Sequence, residues 1–264
     1  MPTHKETPAT AVERALGILE AIARRHDGLT NSEISRKLAI PKSSASYLLR
    51  ALERRGYLHR NSEDGKYRLG LKVLDLGHGV ATGLDLRALA RPVMQELVKR
   101  VNLTSHLAIL DNGEAVYIER VEAPGFIQMN TWVGRRMFLH STSIGKVLAA
   151  DLGTEEIERI LAEHGLARRT AKTITQPGKF LKELERVRAQ GWAVDDEENN
   201  LGVRCVAAPV YNAEGRVEAA LGVSGTVAVV NSHTLAKYAE AVKDSARRIS
   251  AKLGYSAHSP APRR

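Results

Sequence analysis

The sequence predicts an α+β chain in two parts: an N-terminal winged helix-turn-helix domain and, after a connecting helix, a larger C-terminal α/β domain. Three observations predict it. Apolar residues recur at helical three-and-four spacing in three short runs before residue 56. An Asp-Gly pair then separates two short alternating segments, and beyond residue 104 the apolar period shortens from helical to strand-like.

Residues 1–9 carry prolines and few apolar side chains and are expected to form a disordered arm. Val12, Ala15, Leu16, Leu19, Ile22 and Ala23 make the stripe of a first helix, which stops at Arg24-Arg25-His26-Asp27-Gly28. Thr30-Asn31-Ser32-Glu33 has the form of a capping box and opens a second helix with Ile34, Leu38 and Ala39 inward; Ile40-Pro41 ends it. A third helix runs from Lys42 to Arg55, burying Ala45, Leu48, Leu49 and Leu52, with Gly56 as its stop. Its outer face offers Lys42, Ser43, Ser44, Ser46, Tyr47 and Arg50, donors and cations of modest bulk that suit base edges and phosphates in a major groove. Tyr57-Leu58-His59-Arg60 and Lys66-Tyr67-Arg68-Leu69 flank Asp64-Gly65 as a hairpin. Three helices and a hairpin describe a winged helix-turn-helix over residues 10–70, with Arg60, Lys66 and Arg68 as phosphate or minor-groove candidates on the wing.

Charge agrees with that placement. The 264 residues carry a net +9, and residues 1–75 alone hold 14 Lys or Arg against nine Asp or Glu. Clustered cations displace the counterions of a polyanion, so double-stranded DNA is the expected partner of this segment. No apolar run reaches the ~18 residues that would span a bilayer, so no membrane partner is expected. A single cysteine forms no internal disulfide or cysteine-based zinc site, and a cytoplasmic protein is the reading.

The residues also resemble a known family. Val12-Glu13-Arg14-Ala15-Leu16 with Leu29-Thr30, Leu38-Ala39-Ile40-Pro41-Lys42-Ser43-Ser44 and Leu52-Glu53-Arg54-Arg55-Gly56-Tyr57 resemble the DNA-binding domain of IclR-type bacterial transcription regulators. His140-Ser141-Thr142-Ser143-Ile144-Gly145-Lys146 and the run from Gly191 to Val210 resemble signatures of that family's effector-binding domain. The likeness extends from about Thr10 to about Tyr255.

The rest of the chain reads as follows. Leu71, Val73, Leu74 and Leu76 suggest a linker helix over 71–83, ending in the glycines 77–83, and Leu86 to Val101 a longer helix that Pro92 starts or kinks. Ser105–Leu110, Glu114–Arg120, Phe126–Thr131, Val203–Val210 and Val217–Gly225 are expected strands. Ser143–Ala150, Thr154–Glu163, Phe180–Gln190 and His233–Leu253 are expected helices. Residues 84–256 form the second domain, which the resemblance implies is GAF-like, and 257–264 a disordered tail.

Ser141, Thr142 and Ser143 precede the apolar helix beginning at Ile144. A helix start with free amides and hydroxyls suits a carboxylate or phosphate, and equally serves as a plain cap. The resemblance implies that this segment lines a pocket for a small organic acid, a metabolite effector. Carried over by position, the other lining residues would be Asp195, Val203, Cys205, Gly222 and Ser224, with Met129, Trp132 and Leu139 as apolar walls. Family members for small acids often carry serine where this chain has Gly222, and the missing hydroxyl suggests room for a bulkier ligand. Alone, Cys205 in an apolar strand reads as a small buried hydrophobe. Asp195-Asp196-Glu197-Glu198 reads as a solvated turn rather than a metal site, because the histidines lack ligand spacing; no metal and no cofactor are expected.

His140, Ser141 and Asp195 are the residue types of a hydrolytic triad. Neighbours on a strand point to opposite faces, however, and no Gly-x-Ser-x-Gly elbow or P-loop is present, so no catalytic residues are assigned and an enzyme is not expected. The function expected is a DNA-binding regulator whose operator affinity responds to a small acid, a repressor rather than an activator. The resemblance implies homodimers or dimers of dimers. The alternative is an architectural DNA-binding protein without a sensor, which would not need the second domain.

Overall fold

The structure, a computed structural model, describes residues 8–25, 27–76, 85–124 and 130–256. The chain divides into two compact units, Met1–Gly83 and Leu84–Arg264.

In the first unit, α1 (Pro8–Ala23), α2 (Asn31–Lys37) and α3 (Lys42–Arg54) precede β1 (Leu58–Arg60) and β2 (Tyr67–Leu69). Pro8 and Ala9, expected in the arm, are the first residues of α1; proline suits a first turn because its missing N–H would have no partner there. The predicted capping box is present. Glu33 N donates to Thr30 Oγ1 at 3.3 Å and Thr30 N to Glu33 Oε2 at 2.7 Å, which satisfies two amides that the helix leaves over. Gly56 at φ +79° supplies the left-handed residue that ends α3. The hairpin pairs Leu58 with Leu69 and Arg60 with Tyr67, and Leu29 bridges to Tyr67, tying the loop before α2 into the wing.

Ile18, Ala21, Ile22, Ile34, Leu48, Leu49 and Tyr67 close this unit's core. The stripe expected on α1 is shifted from the observed one. Val12, Leu16 and Ala23 are exposed, whereas Ile18 and Ala21 are buried, because the helix meets α3 and β2 along a face rotated from the one that periodicity favours. Residues 72–76 are helical, and Leu71, Leu74 and Leu76 are exposed. Residues 77–83 of the expected linker lie outside the described residues.

The second unit is built on six antiparallel strands in the order β5-β4-β3-β8-β7-β6. These are β3 (Thr104–Asp111), β4 (Glu114–Val121), β5 (Arg136–Met137), β6 (Ala193–Asp196), β7 (Val203–Tyr211) and β8 (Val217–Thr226). Helices α4 (Asp85–Val101) and α8 (Leu235–Lys252) share one core with Val206, Ala208, Leu221 and Val223. Helices α5 (Ser143–Ala150), α6 (Thr154–His164) and α7 (Pro177–Gln190) share another with Ala207, Ala220 and Tyr117. The alternation of Val206 and Ala208 against Cys205 and Ala207 therefore assigns Cys205 to the α5 side. Pro92 lies inside α4 rather than at its start.

One sequence expectation lies mostly outside the described residues and another fails. Most of the strand expected over 126–131 lies outside the described residues, while Asn130 and Thr131 are irregular; the edge strand is instead the two-residue β5, too short to show a period. The acidic run is not a solvated turn. Asp195 and Asp196 end β6, and Asp195 and Glu198 are buried, with backbone amides on Asp195 Oδ1 and a buried lysine on Glu198 Oε1.

Candidate functional site

On the first unit, Pro41 precedes α3 and leaves its first turn without a side-chain cap. Lys42, Ser43, Tyr47 and Arg50 are exposed on this helix, while Ser44 and Ser46 are half-buried. The wing cations differ in their state. Arg68 is paired with Asp64 at 2.7 Å, and Asp64 also accepts from Lys66 N, so part of the Arg68 charge is already answered. Arg60 donates to Gly65 O at 3.4 Å and lies over the Tyr67 ring, leaving the Lys66 and Arg60 ends the less neutralised.

In the second unit, a cavity of about 350 Å³ opens between the sheet and the start of α5. Its floor is a cross-strand row: Asp195 on β6 pairs with Cys205 on β7, and Cys205 with Ser224 on β8. Val203, Gly222 and Val223 extend this floor. Thr142, Ser143 and Ile144 form one wall. Thr142 is the N-cap of α5, accepting from Gly145 N at 3.0 Å and donating to Phe138 O at 2.8 Å. The amides of Ser143 and Ile144 precede Lys146 N, which donates to Thr142 O at 3.0 Å as the first amide bonded along the helix, so the wall presents the positive end of the helix.

Lys146, one turn further, is fully buried. It donates to Glu198 at 2.5 Å, Val194 O at 2.9 Å and Glu183 at 3.2 Å. It thereby ties α5 to the loop after β6, whose Asn199 and Asn200 form a second wall. The same loop is held by Asp195 Oδ1, which accepts from Glu198 N at 2.7 Å and Asn199 N at 3.2 Å, and by Thr173, which donates to Glu198 O at 2.6 Å.

A third wall comes from Tyr117 on β4, Asn130, Thr131 and Arg135 in the following loop, and Met137 on β5. His106 supports it from β3, stacked on Tyr117 at 4.7 Å and bonded to Thr131 Oγ1 at 2.7 Å. Burial, reinforced by Arg120 and Arg135, pushes the His106 imidazole down to about 3, so it is a neutral support.

Not every expected lining residue faces this space. Ser141 lies behind the wall, fully buried, and donates to Asn199 Oδ1 at 3.3 Å. Leu139 packs into the apolar core below α5, and Trp132 stands 55% exposed with Arg135 over its ring; neither lines the cavity. Met129 lies outside the described residues. The room expected at Gly222 is taken, since a Cβ there would come within 3.1 Å of Ile144 and 3.0 Å of Val206 O. The glycine admits α5 rather than a larger ligand. Cys205 donates to Ser224 at 3.2 Å, and burial with Asp195 nearby raises its thiol, which makes it an unreactive part of the floor. His140 and Ser141 sit in a turn, not on a strand, and their hydrogen bonds go to Ala167 O and Asn199 rather than to each other.

Tyr117, Asn130, Thr131, Arg135, Met137, Asn199, Asn200 and Val223 were not anticipated. Asn199-Asn200 follow the acidic run directly, so a buried reading of that run would have found them; the others meet the cavity only through tertiary folding.

Burial raises the Asp195 carboxyl to about 7, against two amides that favour its ionised form. An unfolded Asp ionises near 3.9, so the folded protein holds this proton while the unfolded chain loses it. Stability from this group therefore falls as pH rises from about 4 to about 7. Asp195→Asn, which keeps an oxygen for the two amides, is expected to gain melting temperature relative to wild type across that window, measured by calorimetry at a series of pH values. A difference that is flat with pH would remove Asp195 as the group responsible.

A winged helix with an open donor face, on a chain whose second unit encloses a polar cavity, defines a DNA-binding regulator of transcription. The chain belongs to the IclR family of bacterial regulators. The IclR helix-turn-helix domain matches residues 11–62 and the bacterial transcriptional regulator IclR C-terminal domain residues 78–251. The HTH-type transcriptional regulator XynR of Escherichia coli is 40% identical over 94% of this chain and 98% of its own length. The regulator KdgR of the same organism is 35% identical over 93% of each chain. Among solved structures, the Thermotoga maritima IclR has 32% identity and TM-score 0.76 over 94% of this chain and all of that one. An IclR homologue from Microbacterium hydrocarbonoxydans, complexed with 4-hydroxybenzoate, has 27% identity and TM-score 0.80 over 93% of this chain and all of its own. No described helix is long and apolar enough to cross a membrane.

Proposed function

We propose that this chain is a repressor whose operator affinity is set by a small carboxylic acid bound in the cavity of the second unit. One observation carries the reading: the cavity joins the N-terminal end of α5, at Ser143 and Ile144, to the guanidinium of Arg135, a positive surface suited to an anion. The complex of the Microbacterium homologue with 4-hydroxybenzoate supports it by analogy. Thr142, Ser143, Ile144, Asp195, Val203, Cys205, Gly222 and Ser224 are the expected contacts. An architectural protein would have no use for a polar cavity of this size. Operator titrations with and without a panel of carboxylic acids test the reading, and operator affinity indifferent to every acid that binds would sink it.

On DNA, Lys42, Ser43, Ser44, Ser46, Tyr47 and Arg50 enter the major groove, and Arg60, Lys66 and Arg68 meet the backbone from the wing. One recognition helix makes too few contacts for a specific site, so homodimers, or dimers of dimers, on a pseudo-palindrome complete the reader. The cytoplasm, where such operators lie, is the proposed location. Arg50→Ala is expected to cost about 1–3 kcal/mol of operator affinity if the guanidinium reads a base, or to lower the salt slope by about one if it meets phosphate. Anisotropy titrations at several salt concentrations distinguish the two, and an unchanged affinity and slope would take Arg50 out of the interface.

A further inference from the structure

Two consecutive residues of β4 reach opposite faces of the sheet. The strand carries a bulge: Leu107 pairs with Glu119 and Ala108 with Tyr117, so Ile118 is the extra residue. Tyr117 faces the cavity, while Ile118 and Glu119 face the α4 side. Arg120 returns to the cavity side, opposite His106; its guanidinium donates to Thr131 O at 2.5 Å in the third wall and pairs with Glu122. Glu119 is 3% exposed. Its Oε1 accepts from Arg91 at 2.9 Å and from the Arg120 amide at 2.9 Å, and its Oε2 accepts from Arg87 at 3.4 Å. Arg87 and Arg91 stand four residues apart on one face of the first two turns of α4. α4 is the first helix of the second unit, so the chain from the winged helix enters this unit through those turns. Of residues 86–91 only Leu86 and Ala90 are buried, and the described ion pairs of these turns all go to Glu119. Pro92 follows directly. It has no N–H to give to Ala88 O, and a helix bends most readily where such a bond is missing.

We propose that Glu119 transmits the state of the cavity to the DNA-binding unit, by holding the first two turns of α4 in one of two tilts about Pro92. This rests on the preceding reading and adds to it the route of regulation. A ligand in the cavity bears on Thr131. Arg120 holds the Thr131 carbonyl with its guanidinium and the Glu119 carboxylate with its backbone amide, so a shift of the third wall moves the carboxylate on the other face of the sheet. Arg91 holds one oxygen closely and Arg87 the other at the limit of a hydrogen bond. A small rotation of the carboxylate therefore trades one tie for the other, which gives the two discrete arrangements that a switch needs. Glu119 is a positioning residue, touching neither ligand nor DNA.

Calorimetry on the full-length protein with acetate, succinate, benzoate and 4-hydroxybenzoate identifies the acid that binds most tightly. Operator affinity is then measured with and without that acid at saturation. In wild type the two affinities are expected to differ by at least about fivefold. In Glu119→Gln the difference should fall below about twofold while acid affinity stays within about threefold of wild type. Loss of a merely structural tie would lower the melting temperature and leave the ratio of operator affinities as it was. Pro92→Ala, which restores the helix amide and favours folding, should lower the ratio in the same way, and it decides if Glu119→Gln melts early. The proposal is overturned if either folded variant keeps the wild-type ratio, or if Glu119→Gln loses acid binding itself. Those results leave effector control standing, whereas a wild-type ratio of one, or failure of every acid to bind, overturns effector control and this route with it.

Discussion

Lys146→Ala is expected to destabilise the second unit by about 3–5 kcal/mol, the loss typical of breaking a buried ion pair from one side. The ammonium is fully buried, with Glu198, Glu183 and the Val194 carbonyl as its acceptors. Removing it strands the Glu198 carboxylate, whose Oε2 already lacks a partner among the described residues. Glu183 is spared, since Arg186 still holds it at 2.7 Å. Burial raises the Glu198 carboxyl against the pull of Lys146, so without the lysine Glu198 should take up a proton on folding. The variant should then lose stability as pH rises above the usual carboxylate range. Replacing both partners, Lys146→Met with Glu198→Met, should recover most of the loss, because an apolar pair leaves no buried charge. Urea titrations of the single and double variants measure this; equal losses in both would mean that the pair matters for its shape and not its charge.

Gly145→Ala is expected to cost about 3 kcal/mol, the upper end of the range for overpacking. A Cβ at this position would lie 2.5 Å from Leu139 Cα, 2.6 Å from Phe138 O and 2.7 Å from Leu139 O. All three are backbone atoms, which cannot rotate away as a side chain could. The strain would push the first turn of α5 off the turn at 138–139 and away from Thr142, whose hydroxyl bridges the two. Chemical denaturation gives the stability change, and calorimetry with an acid that binds wild type should show weakened binding as well. A loss below about 1 kcal/mol would mean that the turn yields, and that Gly145 is not what brings the amides of α5 to the cavity.

How far the sequence predicts this arrangement depends on how local the cause is. The winged helix is legible because its signals act within one or two turns: a capping box at Thr30 and Glu33, the stop at Gly56, and a hairpin about Asp64-Gly65. Even there, periodicity cannot say which of two neighbouring stripes on α1 meets α3, and it favours Val12 and Leu16 over Ile18 and Ala21. The floor of the cavity follows from family motifs whose strands pair in register, so Asp195, Cys205 and Ser224 come together. The acidic run misleads because composition prices a charge as if it faced water. Its burial depends on Lys146, 49 positions before Asp195, and no local pattern marks that lysine as internal. Arg135 and Tyr117 escape for the same reason, since a loop and a strand of the far side of the sheet reach the cavity only once the sheet has formed.

Under the proposed function, occupying this cavity changes the grip on DNA. Operator isotherms at fixed salt, with and without a saturating acid already shown by calorimetry to bind, test this. A change in operator affinity of at least about fivefold is expected, matched by an equal change in acid affinity when operator is present, and abolished together with acid binding in Arg135→Gln. Isotherms that superimpose while the cavity is filled would contradict it.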